Sequence, residues 1–225
     1  MLIDTSLVVA LLASSPLAAR PLVTAPPVTV TVIVASDISP TLVTRVLAEA
    51  GDIWRTAGVA IVWRVESTIS PSTLRVVIGH WTGLIVHDDA ALPLGWILFD
   101  DSGAPRPEVY VSYANARALM DQARGSIALS ERMPRAERDT LLGRAMGRAL
   151  AHEMGHYLLA SKAHSVGGLM RARLTATEFF ALDRSPFDLD SQQRAAIAGR
   201  LTPPAAVAAL QPSVHSRQSI VDGIR

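Results

Sequence analysis

His152, Glu153 and His156 stand in the run HEMGH, an H-E-x-x-H pattern. Histidines at this spacing on a helix lie on one face, a turn apart, so both rings can reach one metal ion. Neutral imidazoles suit zinc, and a catalytic zinc site commonly combines three protein ligands with one position left for water. Glu153, beside the first ligand, is the residue type that accepts a proton from water in such a site. A third ligand is expected downstream, and His164 is the candidate; Glu178, 22 residues past His156, is its competitor. The bland alternative is a pair of solvated histidines on a helix face. Against it, Leu141, Leu142, Ala145, Ala149, Leu150, Leu158 and Leu159 make the helix apolar and therefore buried. Buried imidazoles and a buried carboxylate need partners, and a zinc ion serves all three.

The run continues His164-Ser165-Val166-Gly167-Gly168-Leu169-Met170. Residues 152–170 resemble the zinc-binding segment of the metzincin metallopeptidases, and most of all the matrixin pattern. The resemblance implies Zn2+ held by His152, His156 and His164, with Glu153 as general base and Met170 as the Met-turn methionine beneath the metal. It also implies hydrolysis of a peptide or protein substrate, and an α+β fold with a mixed sheet over the site helix and a small helical part after the third histidine. The family form H-E-x-x-H-x-x-G-x-x-H has glycine and histidine where this chain has Leu159 and Lys162, so the third histidine comes two residues late. Without that glycine the helix is expected to run another half turn, with residues 160–163 carrying the altered exit. Two other readings stay open: a thermolysin-like (gluzincin) peptidase using Glu178, and a non-catalytic, zinc-stabilised peptide- or protein-binding module.

The chain has 225 residues, enough for a sizeable core, with 21 basic and 20 acidic side chains. No Lys/Arg run tracks a phosphate backbone, so nucleic acid is not an expected partner. The absence of cysteine excludes disulfides, thiolate ligands and thiol catalysis. Residues 1–19 carry the apolar run LVVALLA and an alanine-rich end, which reads as a signal peptide despite Asp4 near its start. The mature chain is then expected to be secreted or periplasmic, and otherwise cytoplasmic, with no membrane span. Residues 20–27 read as an extended linker, 28–202 as the catalytic domain and 203–225 as a disordered tail.

The elements that must position the motif follow from periodicity. β-branched residues make 28–34 a strand, and 60–65 and 74–78 further strands, with 83–86 continuing the third after a turn. Ser39 and Pro40 open a helix whose apolar positions are 42, 43, 46, 47, 50, 53 and 54, and Gly58 ends it. Residues 94–99 and 108–113 read as an antiparallel pair, 115–123 as a helix and 134–159 as the site helix. Short helices are expected at 177–182 and 190–201. Pro93 and Gly95 mark the strand of 94–99 as an edge, so Leu94, Gly95 and Trp96 are candidate substrate-binding residues. His80, His87, Asp88 and Asp89 cluster loosely and read as a solvated turn.

Overall fold

The computed structural model describes residues 26–65, 74–81, 93–123 and 132–202. The expected signal peptide, the tail, the strand of 83–86 and the residues His87, Asp88 and Asp89 lie outside them. The first described strand, β1 (Val28–Val34), leads into α1 (Pro40–Thr56) and then β2 (Ile61–Val65). There follow β3 (Leu74–Gly79), β4 (Gly95–Phe99), β5 (Pro105–Ser112) and the helices α2 (Tyr113–Gln122) and α3 (Arg135–Leu159). Two short helices, α4 (Ala176–Phe180) and α5 (Ser191–Leu201), are the last elements among the described residues, with a 3-10 turn at Ser185–Phe187 between them. This is an α+β arrangement with one mixed, mostly parallel sheet.

The sheet order is β2-β1-β3-β5-β4. All pairings are parallel except β4 with β5, where Gly95 faces Val111 and a bulge between Ile97 and Phe99 shifts the register. Alternation along the strands turns Val30, Val32, Val76, Ile78, Val109 and Val111 to one face, where all are buried. Helices α1 and α3 cover that face, and their contact with each other is the most extensive in the fold.

Local chemistry explains both helices. The Ser39 hydroxyl accepts from the Leu42 amide (3.2 Å), Pro40 supplies the first turn, and Gly58 leaves the helix end at φ 83°. Every position in the expected stripe of α1 is buried. Glu49, a single charge bordering that stripe, is buried as well. On α3, Gly143 and Gly147 let α1 approach: a Cβ at 147 would lie 2.6 Å from that of Glu49 and 2.7 Å from the Val46 carbonyl.

Beyond the site helix the short helices start where a side chain can cap them. Thr175 and Glu178 form a capping box, so α4 begins at Ala176 rather than 177 and closes by Phe180; Asp190 and Gln193 do the same for α5.

Candidate metal centre

Helix α3 presents His152 and His156 on one side, and the loop after it returns His164 to them. Ligand-capable atoms of the three residues all lie within 4.8 Å of one another, and they are the group among the described residues that could hold a metal ion. The ring of His164 stacks on that of His152 (centroids 5.3 Å, 19°) and stands edge-on to His156 (4.9 Å, 89°). His156 is buried and His152 half-buried, whereas His164 is exposed, so the site opens to solvent on the loop side.

Backbone carbonyls decide the tautomers of the two helical histidines. His152 Nδ1 lies 2.7 Å from the Leu169 carbonyl, and His156 Nδ1 2.7 Å from that of Ser161. A carbonyl oxygen only accepts, so each Nδ1 donates and each Nε2 of a neutral ring presents a lone pair. Those two Nε2 atoms stand 3.1 Å apart. Two acceptors facing each other at that separation repel unless a cation lies between them. Protonating one ring is disfavoured: burial pushes His152 down to about 4, against the pull of the Leu169 bond, with His156 and His164 adding to the fall. Burial lowers His156 too. Two nitrogens each about 2.1 Å from one tetrahedral zinc stand about 3.4 Å apart, so the donor set fits such an ion.

The Glu153 side chain lies against β4, next to Gly95 and Ile97. Burial pushes its carboxyl up to about 8, and the Ile97 amide, which donates to it, opposes that rise. Strand β4 is one of the two edges of the sheet among the described residues, β2 being the other. The Ser112 amide donates to the Leu94 carbonyl (2.8 Å), so the backbone of residues 94 and 96 points to β5. That of Gly95 and Ile97 points outward. Gly95 sits directly over the helix, where a Cβ would lie 3.0 Å from Glu153 Cγ and 3.1 Å from the Tyr110 carbonyl. Leu94 is buried, and Trp96 carries its ring to the opposite face, stacked on Tyr110 (5.3 Å, 5°). Of the three candidate substrate residues, only Gly95 lies against the general-base candidate. Phe99 was not anticipated; its ring stands edge-on to His156 (6.2 Å), with Lys162 Nζ 4.9 Å above it.

The helix exit differs from expectation. Leu159 is the last helical residue, and Ala160 takes the left-handed conformation (φ 49°, ψ 45°), so the chain leaves one residue past the glycine position rather than half a turn later. The Ser161 amide then reaches the His156 carbonyl (3.1 Å), and this turn brings the Ser161 carbonyl back to the His156 ring. Here an alanine does what glycine usually does, at a cost of about 1 kcal/mol. The 164–171 loop closes through the Ser165 amide and the Met170 carbonyl (2.8 Å). Met170 is buried with its sulfur against Gly155, in space that a Cβ there would occupy.

Other candidates are placed elsewhere. The Glu178 carboxylate is held by Arg171 (2.6 Å) and by the amide and hydroxyl of Thr175 (each 2.8 Å), not by the histidine cluster. His80 pairs with Asp37 (2.8 Å) and stands edge-on to Tyr113 (5.1 Å). Two buried charges escaped the pattern reading: Arg148, one turn before His152, and its partner Glu49 (2.9 Å). Their signal was present as single charges inside apolar helix stripes, where a buried charge requires a partner. No protein-family model and no curated protein matches this chain.

Proposed function

We propose that the protein is a zinc-dependent metalloendopeptidase of divergent metzincin, matrixin-like type. The observation that carries the proposal is the convergence of His152, His156 and His164, with Glu153 one residue from the first of them and under β4, an edge of the sheet among the described residues. The sheet edge over the site helix and the helical part after the third histidine agree with this reading. The three histidines would hold Zn2+, which when bound lowers the pKa of a coordinated water and polarises a carbonyl.

The residues of the chain supply the rest. An extended peptide lies along β4, where main-chain groups turned outward at Gly95 bond it largely without regard to its sequence. Water adds its oxygen to the scissile carbonyl carbon as Glu153 accepts its proton. Glu153 then returns that proton to the leaving amine as the C–N bond breaks. Burial pushes this carboxyl up to about 8, toward the protonated form that cannot accept a proton; the charge of a zinc ion bound beside it would favour the ionised form the step needs. His164 rather than Glu178 supplies the third ligand in this scheme, because the Glu178 carboxylate is already engaged by Thr175 and Arg171.

The test is Glu153→Gln. The variant should keep about one zinc per chain while peptide-library digestion stops, because the side chain is base and not ligand. Loss of the metal, or cleavage at the wild-type rate, would refute the assignment. Wild-type zinc loading with no cleavage of any peptide would instead favour a zinc-stabilised binding module.

A further inference from the structure

The Arg148 side chain is completely buried, and its guanidinium joins Glu49 of α1 to one later stretch of chain. Its Nε donates to Glu49 Oε1 (2.9 Å), and its Nη atoms to the carbonyls of Glu178, Phe179 (3.4 Å), Ala181 (2.8 Å) and Asp183 (3.0 Å). The same guanidinium lies 4.5 Å from the centre of the Phe187 ring. Arg184, from this stretch, returns to Glu49 Oε2 (2.9 and 2.7 Å) and to Asp52 (3.0 Å). Residues 178–187 are thereby clamped to α1 and α3 by four charged side chains.

The next residue continues the connection. The Asp188 carbonyl accepts from the Leu169 amide (3.1 Å), and the Leu169 carbonyl accepts from His152 Nδ1 (2.7 Å). Gly168 gives the Asp188 carbonyl its room, since a Cβ there would occupy the same space. We propose that Arg148 is a positioning residue for His152: with Glu49 it holds the 183–188 segment against Leu169, whose carbonyl fixes the tautomer and ring plane of the ligand. A planar fork with five donors can gather several carbonyls and one carboxylate at once; an ammonium cannot. Groups that orient a metal-binding imidazole through its second nitrogen commonly change metal affinity 10–100-fold.

This inference rests on the metal reading of the three histidines, and one experiment separates the two. Zinc affinity is measured by chelator competition for the full chain, for Arg148→Lys and for Gly168→Ala. In parallel, the downfield ring N–H protons of 15N-histidine-labelled, zinc-loaded protein are followed for exchange with water. The wild type should show two slowly exchanging protons, one from His152 and one from His156. Both variants should bind zinc roughly 10–100-fold more weakly and lose the slow His152 proton, while that of His156, held by the Ser161 carbonyl, persists. Folded variants with wild-type affinity and both slow protons would overturn the positioning role alone. Equal loss of both protons would overturn it too, because a general loosening of the site would be the cause. A wild type that binds no zinc overturns this inference together with the reading beneath it. Should Arg148→Lys fail to fold, Arg184→Ala is read in the same two ways, since it frees the 183–188 segment from Glu49 and Asp52 at a side chain that is exposed.

Discussion

An imidazole can ligate through one nitrogen only if the other is given a partner that tells it which tautomer to adopt. The carbonyls of Leu169 and Ser161 perform that service for His152 and His156. Their effect is to leave two lone pairs facing across 3.1 Å, an arrangement that a cation relieves. His164 is exposed and completes the group. Its replacement separates the metzincin-like reading from the thermolysin-like one. His164→Ala should weaken zinc binding by on the order of a hundredfold or more, as one ligand of three is lost. Glu178→Ala should leave affinity nearly unchanged, because that carboxylate serves Arg171 and the α4 cap. Chelator competition on both variants reads the difference, and the reverse order would make Glu178 the ligand.

Two elements set how well the site is presented. The C-terminus of α3 leaves the helix through Ala160 at φ 49°, the one positive φ at a non-glycine residue among those described. Ala160→Gly removes the Cβ strain at an exposed position, so it should stabilise the protein by about 1 kcal/mol, or roughly 2–4 °C in Tm. Thermal unfolding checks this, and a lowered Tm would mean that the αL turn carries no strain. The other element is β4. A methyl group at residue 95 would press on Glu153 Cγ at 3.0 Å. Gly95→Ala should therefore lower kcat by about tenfold through displacement of the base, with zinc content unchanged. Steady-state kinetics with metal analysis would expose the error if kcat stays at the wild-type level.

At the scale of the whole molecule, the histidines join two parts of the chain: α3, packed beneath the sheet with α1, and the loop that follows it. A metal bound there should stabilise the native state over the unfolded one. With free zinc at a hundred times Kd the gain is about 2.7 kcal/mol, or roughly 5–10 °C. Chelation should lower Tm by that amount and zinc should restore it. A Tm indifferent to both would show that the folded protein holds no zinc.

Much of this organisation is local and is therefore written in the order of residues. The i, i+4 spacing of His152 and His156 makes them neighbours on any helix, and the stripe from Leu42 to Trp54 can be buried on only one side. Ser39, Pro40 and Asp190 mark helix starts because their side chains or rings act within one turn, whereas the Thr175 cap, equally local, starts α4 one residue before the expected 177. Pro93 and Gly95 suggest an edge strand, and β4 is an edge of the sheet among the described residues. Other features depend on contacts that no local pattern records. Arg148 meets Glu49 across 99 residues, and Arg184 meets it across 135. The helix exit at Ala160, against the backbone preference of alanine, is supported by the Ser161 amide bonding back to the His156 carbonyl. Motif spacing and periodicity by themselves determined which helix carries two of the three clustered histidines and which face is buried, because those depend on side chains a few residues apart. Only the tertiary structure decided how the rings are aimed, because their orientation rests on backbone carbonyls and a buried charge network brought together from distant parts of the chain.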